Sequence, residues 1–340
     1  MCDCLVALPS VTATGTTLFA KNSDRPPGES QVLERYPATT RAEPIRATHI
    51  HVDAGDGETI GVVGSRPWWM WGLEHGVNEA GVAIGNETIY TTLDPRPFPP
   101  ALTGMDLVRL GLERAASAED AVDAITGLLE RYGQGGTGHL GKERPYWSSF
   151  LVADATHAWV LETSGTTWEA EAVADRRAIS NRTTIPSFDA VHRHPGQPVE
   201  TLVDPRLRAG EAVLADAPID VAGLKDHLRS HAGGDDGWTV CMHVDGVEAT
   251  TASMIAELGP RRRPTRFLLG SPCTSIYVPL FVHRPLGLPV RWDRLASLTP
   301  ADRPALDELE AALDADVTDD EDWAFDAWRR VDRTLAALGR

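Results

Sequence analysis

Near the start of the chain an apolar run, Leu5-Val6-Ala7-Leu8, stops at Pro9, turns through Thr14-Gly15 and returns as Thr17-Leu18-Phe19-Ala20. The spacing predicts an antiparallel hairpin whose first strand begins at Cys2. Its second strand would carry Lys21, Asn22, Asp24 and Arg25 back beside that start. Residues 48–63 read as strand, Gly/Asp turn, strand, and a tryptophan-rich stretch, Ser65 to Gly72, follows. A strand approach at His75, a turn from Asn78 to Gly81 and the apolar strand Val82-Ala83-Ile84 then lead to Gly85-Asn86-Glu87. Met105, Leu107, Val108 and Leu112 recur at helical spacing. A second helix opens at Ser117 with an acid three residues on and runs through Leu129, so the pair reads as an outer layer.

Strand patterning resumes at Ser148–Glu162, a hairpin around Asp154-Ala-Thr-His157, continues at Thr167–Ala170, and leaves Asn181 at the end of a short strand from Arg177. Residues 192–237 form a Pro/Gly-punctuated excursion with helices at 206–214 and 221–231. Strands are expected at 238–243, 250–255 and 266–269, and an acidic helical tail follows Pro300. Antiparallel strands with helices gathered in blocks imply an α+β architecture of stacked sheets flanked by helices. Strand and helix do not alternate as in a doubly wound fold, and the sequence holds no Gly-rich phosphate loop. The expected organisation is a domain over residues 1–290, interrupted by the excursion, and a helical extension over 291–340.

Composition narrows the function. With 32 basic and 49 acidic residues and a net charge of −17, the chain lacks the basic surface that nucleic acid or an anionic membrane would want. No apolar run approaches the ~20 residues of a membrane helix. A chain this long with four cysteines (Cys2, Cys4, Cys241 and Cys273) and no signal peptide suggests a reducing, cytoplasmic setting. His49 and His51 share a strand face without a third ligand at a telling spacing, so no metal and no cofactor are expected. Trp68, Trp69 and Trp71 would line a pocket or fill a core; Trp68 and Trp69, with Arg25, are the candidate substrate contacts.

The chemistry concentrates at Cys2. Removal of Met1 would place a thiol and a free α-amine on one residue, and an N-terminal amine can serve as the base for its own side chain. The bland alternative makes Cys2 a small buried hydrophobe and Lys21–Arg25 a polar turn. Asn86 closes an apolar strand, where its amide could face a cleft, whereas Asn78 suits turn chemistry.

The motifs CDCLVALP, FAKNSDRP, SRPWWMWG, GVNEAGVAIGNE, GMDLVRLGLER, YGQGG, SSFLVAD, AWVLET, ISN and TTASM occur in this order. Together, from residue 2 to about 280, they resemble the secernins and bacterial cysteine dipeptidases of the N-terminal-nucleophile (Ntn) hydrolase superfamily. The resemblance implies a four-layer αββα sandwich with Cys2, rather than Cys4, as nucleophile between the sheets. It is more distantly similar to penicillin V acylases and bile-salt hydrolases, whose arginine and aspartate near the nucleophile match Lys21 and Asp24. Their two asparagines, which help bind the oxyanion and the nucleophile's amine, match Asn86 and Asn181. Their late arginine has no counterpart in the motifs. The implied activity is dipeptidase-like hydrolysis of short peptides through a thioester, with Asp24 orienting the amine and Lys21 favouring the thiolate. An N-acyl amide hydrolase or acyltransferase is the alternative within enzymes. A non-catalytic secernin-like interaction protein is the alternative outside them. Expected partners are a small peptide or acyl-amide substrate and neither nucleic acid nor membrane, with self-assembly left open.

Overall fold

The computed structural model describes residues 1–340 except 27, 56 and 261. The chain opens with β1 (Cys2–Ala7), β2 (Thr17–Arg25), β3 (Gln31–Tyr36), β4 (Ile45–Arg46) and β5 (His51–Val52). Next come β6 (Val62–Pro67), β7 (His75–Asn78) and β8 (Ala83–Ile89), then α1 (Gly104–Arg114) and α2 (Ala118–Tyr132). The strands β9 (Trp147–Ala153), β10 (Ala158–Ser164), β11 (Thr167–Ala172) and β12 (Arg176–Ile179) precede α3 (Pro186–His192), α4 (Val199–Leu202), α5 (Asp204–Ala215) and α6 (Val221–Arg229). The remainder comprises β13 (His243–Val244), β14 (Glu248–Leu258), β15 (Thr265–Leu269), β16 (Val278–Leu280), α7 (Pro289–Ala296), α8 (Arg303–Ala315) and α9 (Glu321–Ala337).

Two seven-stranded antiparallel sheets carry the fold: β12-β1-β2-β14-β15-β16 with β13 on β14, and β11-β10-β9-β8-β7-β6-β3. The period of two along each strand builds the layers. Cys4, Val6 and Phe19 turn inward and share a core with Val63, Val77, Leu151 and Val160 of the second sheet. Their neighbours Leu5, Ala7, Leu18 and Ala20 turn outward onto Leu214 of α5 and Leu224 and Leu228 of α6. On the far side, Ile84, Phe150 and Val152 pack under Leu107 and Leu110 of α1 and Ile125 and Leu129 of α2. Helix, sheet, sheet, helix is the αββα sandwich that the sequence resemblance implied.

The tail helices bury Trp292, Leu306, Leu313, Trp328 and Leu335 in the same cluster as the inter-sheet side chains. The boundary expected at residue 290 falls inside α7. No helix among the described residues is long and apolar enough to cross a membrane.

Some expected elements differ. Residues 48–63 are not a hairpin: β5 pairs only with β4, while Thr59 and Ile60 donate their amides to Thr39 and Glu113. His49 lies outside any strand, its Nε2 2.9 Å from the Thr137 carbonyl. The expected strand at 238–243 shrinks to β13, because Val240 and Cys241 spend their amides on the Ala232 and Ser230 carbonyls instead of a ladder. Asn78 does serve its turn, its Oδ1 accepting from Ala80 and Val82.

Candidate active site

Register brings the first strand's start and the second strand's end together. Cys2 lies opposite Ser23, Asp3 opposite Asn22 and Cys4 opposite Lys21. What resembles a polar turn in the sequence is therefore the fully buried end of β2. Alternation sends Lys21, Ser23 and Arg25 toward the second sheet, where they meet Glu87, His75 and Glu74 respectively. The sheets approach closely here: a Cβ on Gly85 would come within 2.6 Å of Lys21 Cδ and 2.8 Å of Cys4 Sγ.

At the mouth between the sheets is a cavity lined among others by Cys2, Asp24, Arg25, Asn86, Asn181 and Glu248. Five residues named from the sequence thus gather at one opening. Lys21 lies beneath them, with Nζ 2.8 Å from the Asn86 carbonyl and 3.4 Å from Glu87 Oε1. The two tryptophans stand elsewhere. Trp68 is 52% exposed, and Trp69 donates to Glu29 Oε2 at 2.9 Å while packing behind Met105 and Tyr146.

The Cys2 amide donates to Asn181 Oδ1 at 2.8 Å, and Arg206 Nη2 donates to the same oxygen at 3.0 Å. Two donors on one side fix the orientation of that amide. Asn181 Nδ2 is then spent on the Thr88 carbonyl. Asn86 differs: among the described residues its Nδ2 meets only the Met105 sulfur, at 3.4 Å, and it lines the cavity. Asp24 Oδ1 accepts from Thr250 at 2.6 Å, while Oδ2 is buried without a partner among the described residues.

Burial pushes the Cys2 thiol up to about 12, with the Lys21 ammonium as the largest opposing influence. Burial also lowers Lys21, but the Cys2 and Glu87 charges outweigh it and hold its pKa well above the usual range. Asp24 is pushed up to about 6, chiefly by burial, against the pull of the Met1 ammonium and Arg206.

Three contributors escaped the sequence reading. Arg206, on α5 within the excursion, bonds Asp3 Oδ2 at 2.7 Å and reaches the Cys2 carbonyl at 3.4 Å. Gln197 holds the Asn181 carbonyl at 2.8 Å. Glu248, at the head of β14, pairs with the Met1 ammonium. Its sequence signal was no more than an acid opening an otherwise uncharged run, residues 249–256.

An αββα sandwich with Cys2 at the mouth between its two sheets is the arrangement that the motif resemblance implied. Residues 66–197 match the model of peptidase family C69, which bears out the resemblance to dipeptidases and secernins seen in the motifs. Among solved structures, a variant of the conjugated bile acid hydrolase from Clostridium perfringens is 13% identical with a TM-score of 0.55, over 83% of this chain and 92% of that one. Penicillin V acylase from Agrobacterium tumefaciens is also 13% identical, with a TM-score of 0.51 over 82% of this chain and 86% of that one. These likenesses establish the shared fold.

Proposed function

We propose that this amide hydrolase cleaves dipeptides and other short peptides bearing a free N-terminal amine, with Cys2, freed by loss of Met1, as nucleophile. One observation favours peptides over N-acyl amides. The α-ammonium of Met1 is held at the cavity by the nearly buried carboxylate of Glu248, with the Asp24 carbonyl 3.5 Å away. Met1 thereby occupies the place of an unblocked residue, and its departure leaves Glu248 to receive a substrate's ammonium.

The Cys2 sulfur attacks the peptide carbonyl carbon, and its proton passes to the Cys2 α-amine. An ordinary α-amine titrates at about 7.7–8.0, so roughly 10–20% is unprotonated at neutral pH. Burial lowers the Met1 amine at this place, and the same surroundings would raise the free-base fraction of the Cys2 amine. Asn181 Oδ1 already accepts from this nitrogen, and the unpartnered Asp24 Oδ2 takes a second hydrogen, aiming the lone pair at the thiol. Lys21 stabilises the developing thiolate from beneath. Asn86 Nδ2 donates to the oxyanion; the loss of one such donor typically costs ~10²–10³ in rate. The tetrahedral adduct collapses as the α-ammonium protonates the leaving amine. Water, deprotonated by the amine, then splits the thioester and frees the thiol.

The distinguishing test is a matched panel of dipeptides and their N-acetyl forms. A free ammonium is expected to raise kcat/KM by about 10²-fold, since an acetylated end leaves a buried carboxylate unpaired. Equal or faster cleavage of the acetylated series would transfer the assignment to an N-acyl amide hydrolase. A chain without turnover on either would be the interaction protein.

A pH profile tests Asp24. Its acceptor role requires the carboxylate, which forms above about 6, so kcat/KM is expected to climb with pH through that value. A profile flat between roughly pH 5 and 7 would remove Asp24 from the mechanism. The four free cysteines fit a cytoplasmic setting.

A further inference from the structure

Away from the cleft, four side chains converge from three separate pieces of chain. His231 follows the end of α6, Cys241 lies in the loop after it, His243 opens β13, and Cys273 sits in the turn after β15. Their ligand atoms all lie within 4.8 Å of one another. His243 Nε2 is 3.4 Å from Cys241 Sγ and 3.2 Å from Cys273 Sγ. A tetrahedron with zinc–nitrogen and zinc–sulfur arms of ~2.0–2.3 Å has edges of about 3.3–3.8 Å. The two separations, 3.4 and 3.2 Å, lie at the short end of that range and just under it. We propose that His231, Cys241, His243 and Cys273 form a structural zinc site.

The donor set argues for zinc over harder cations. Two thiolates and two imidazoles make a soft, nitrogen–sulfur environment without an oxygen ligand, unsuited to magnesium or calcium. All four tetrahedral positions would be filled by protein, which leaves none for water and makes the site structural rather than catalytic. Binding Zn²⁺ converts both thiols to thiolates and releases two protons to solvent, with no change of oxidation state.

The surroundings show what such an ion would hold. Residues 238–242 lack a strand ladder, and the Cys273 turn is secured locally by Thr274 and Ser275 donating to the Ser271 carbonyl. From β2, Asn22 Nδ2 ties together the Leu228 and Val240 carbonyls. Beside Cys241, the Met242 amide donates to Thr250 Oγ1 at 2.8 Å, and that hydroxyl donates to Asp24 Oδ1 at 2.6 Å. The ion would pin the loop whose next residue sets the Asp24 clamp.

The test uses the reduced full-length chain purified without chelator. Elemental analysis is expected to find one zinc per chain. Co²⁺ added to the metal-stripped protein should give thiolate-to-metal charge-transfer absorption and the strong visible bands of a tetrahedral ion. Cys273→Ser should weaken Zn²⁺ binding by at least ~10²-fold, beyond the ~10–100-fold typical of outer-shell losses. Chelator should lower the thermal midpoint of the parent chain and not that of the variant. A reduced chain that binds neither Zn²⁺ nor Co²⁺ at micromolar concentration overturns the proposal. So does an octahedral Co²⁺ spectrum without charge transfer. The parent-chain spectrum decides the matter even where Cys273→Ser does not fold.

Discussion

Cys2→Ala is expected to abolish peptide hydrolysis, lowering kcat by about 10⁴-fold or more, as losses of a covalent nucleophile do. Cys4→Ala should keep most of the activity. The two cysteines share a strand face but not an environment. Cys2 lines the cavity, whereas Cys4 is wholly buried in the inter-sheet core below it. Burial and the Glu87 charge hold the Cys4 thiol well above its usual range, with Lys21 opposing, and Cys4 is not among the residues that line the cavity. Steady-state kinetics on one dipeptide, with intact mass of each protein, make the comparison. Active protein should lack Met1, because a retained methionine acylates the amine that serves as base. An active Cys2→Ala beside an inactive Cys4→Ala would move the nucleophile two residues along the strand.

Glu248→Gln should also be strongly damaging, and selectively so. It keeps shape and removes the charge that would meet a substrate ammonium, at a site where breaking a buried ion pair costs ~2–5 kcal/mol. The expectation is a KM for free dipeptides about 10²-fold higher, a kcat little altered, and near-parental cleavage of N-acetyl dipeptides. The preference for unblocked substrates should collapse. A kcat loss shared equally by both series would instead place Glu248 on the catalytic amine. The Met1 ammonium is only one residue removed from that nitrogen, so the split between KM and kcat is the informative readout.

The sheets were legible because local pattern and tertiary placement agree: Leu5-Val6-Ala7-Leu8 and Leu18-Phe19-Ala20 alternate between two apolar environments, and both are buried. Cys2, Asp24, Asn86 and Asn181 were legible because strand ends deliver side chains to one edge, and the family motifs marked them. Arg206 was not, since a partner such as Asp3 lies 203 positions away and nothing local announces it. The strand expected at 238–243 failed because Asn22 and Ser230 capture that backbone with polar contacts invisible to periodicity. The tryptophans misled for a related reason. Their density speaks of apolar area, but Trp69 spends its area behind the cavity wall and Trp68 faces outward. His231, Cys241, His243 and Cys273 stand at intervals that match no metal motif, so only folding reveals them together.

The side chains that α8 and α9 bury are continuous with those between the sheets, and α7 packs on β15 of one sheet and β3 of the other. A fastener spanning both halves of a sandwich couples their fates. Melting should accordingly proceed as a single cooperative transition, with the terminal fifty residues lost together with the cleft rather than shed ahead of it.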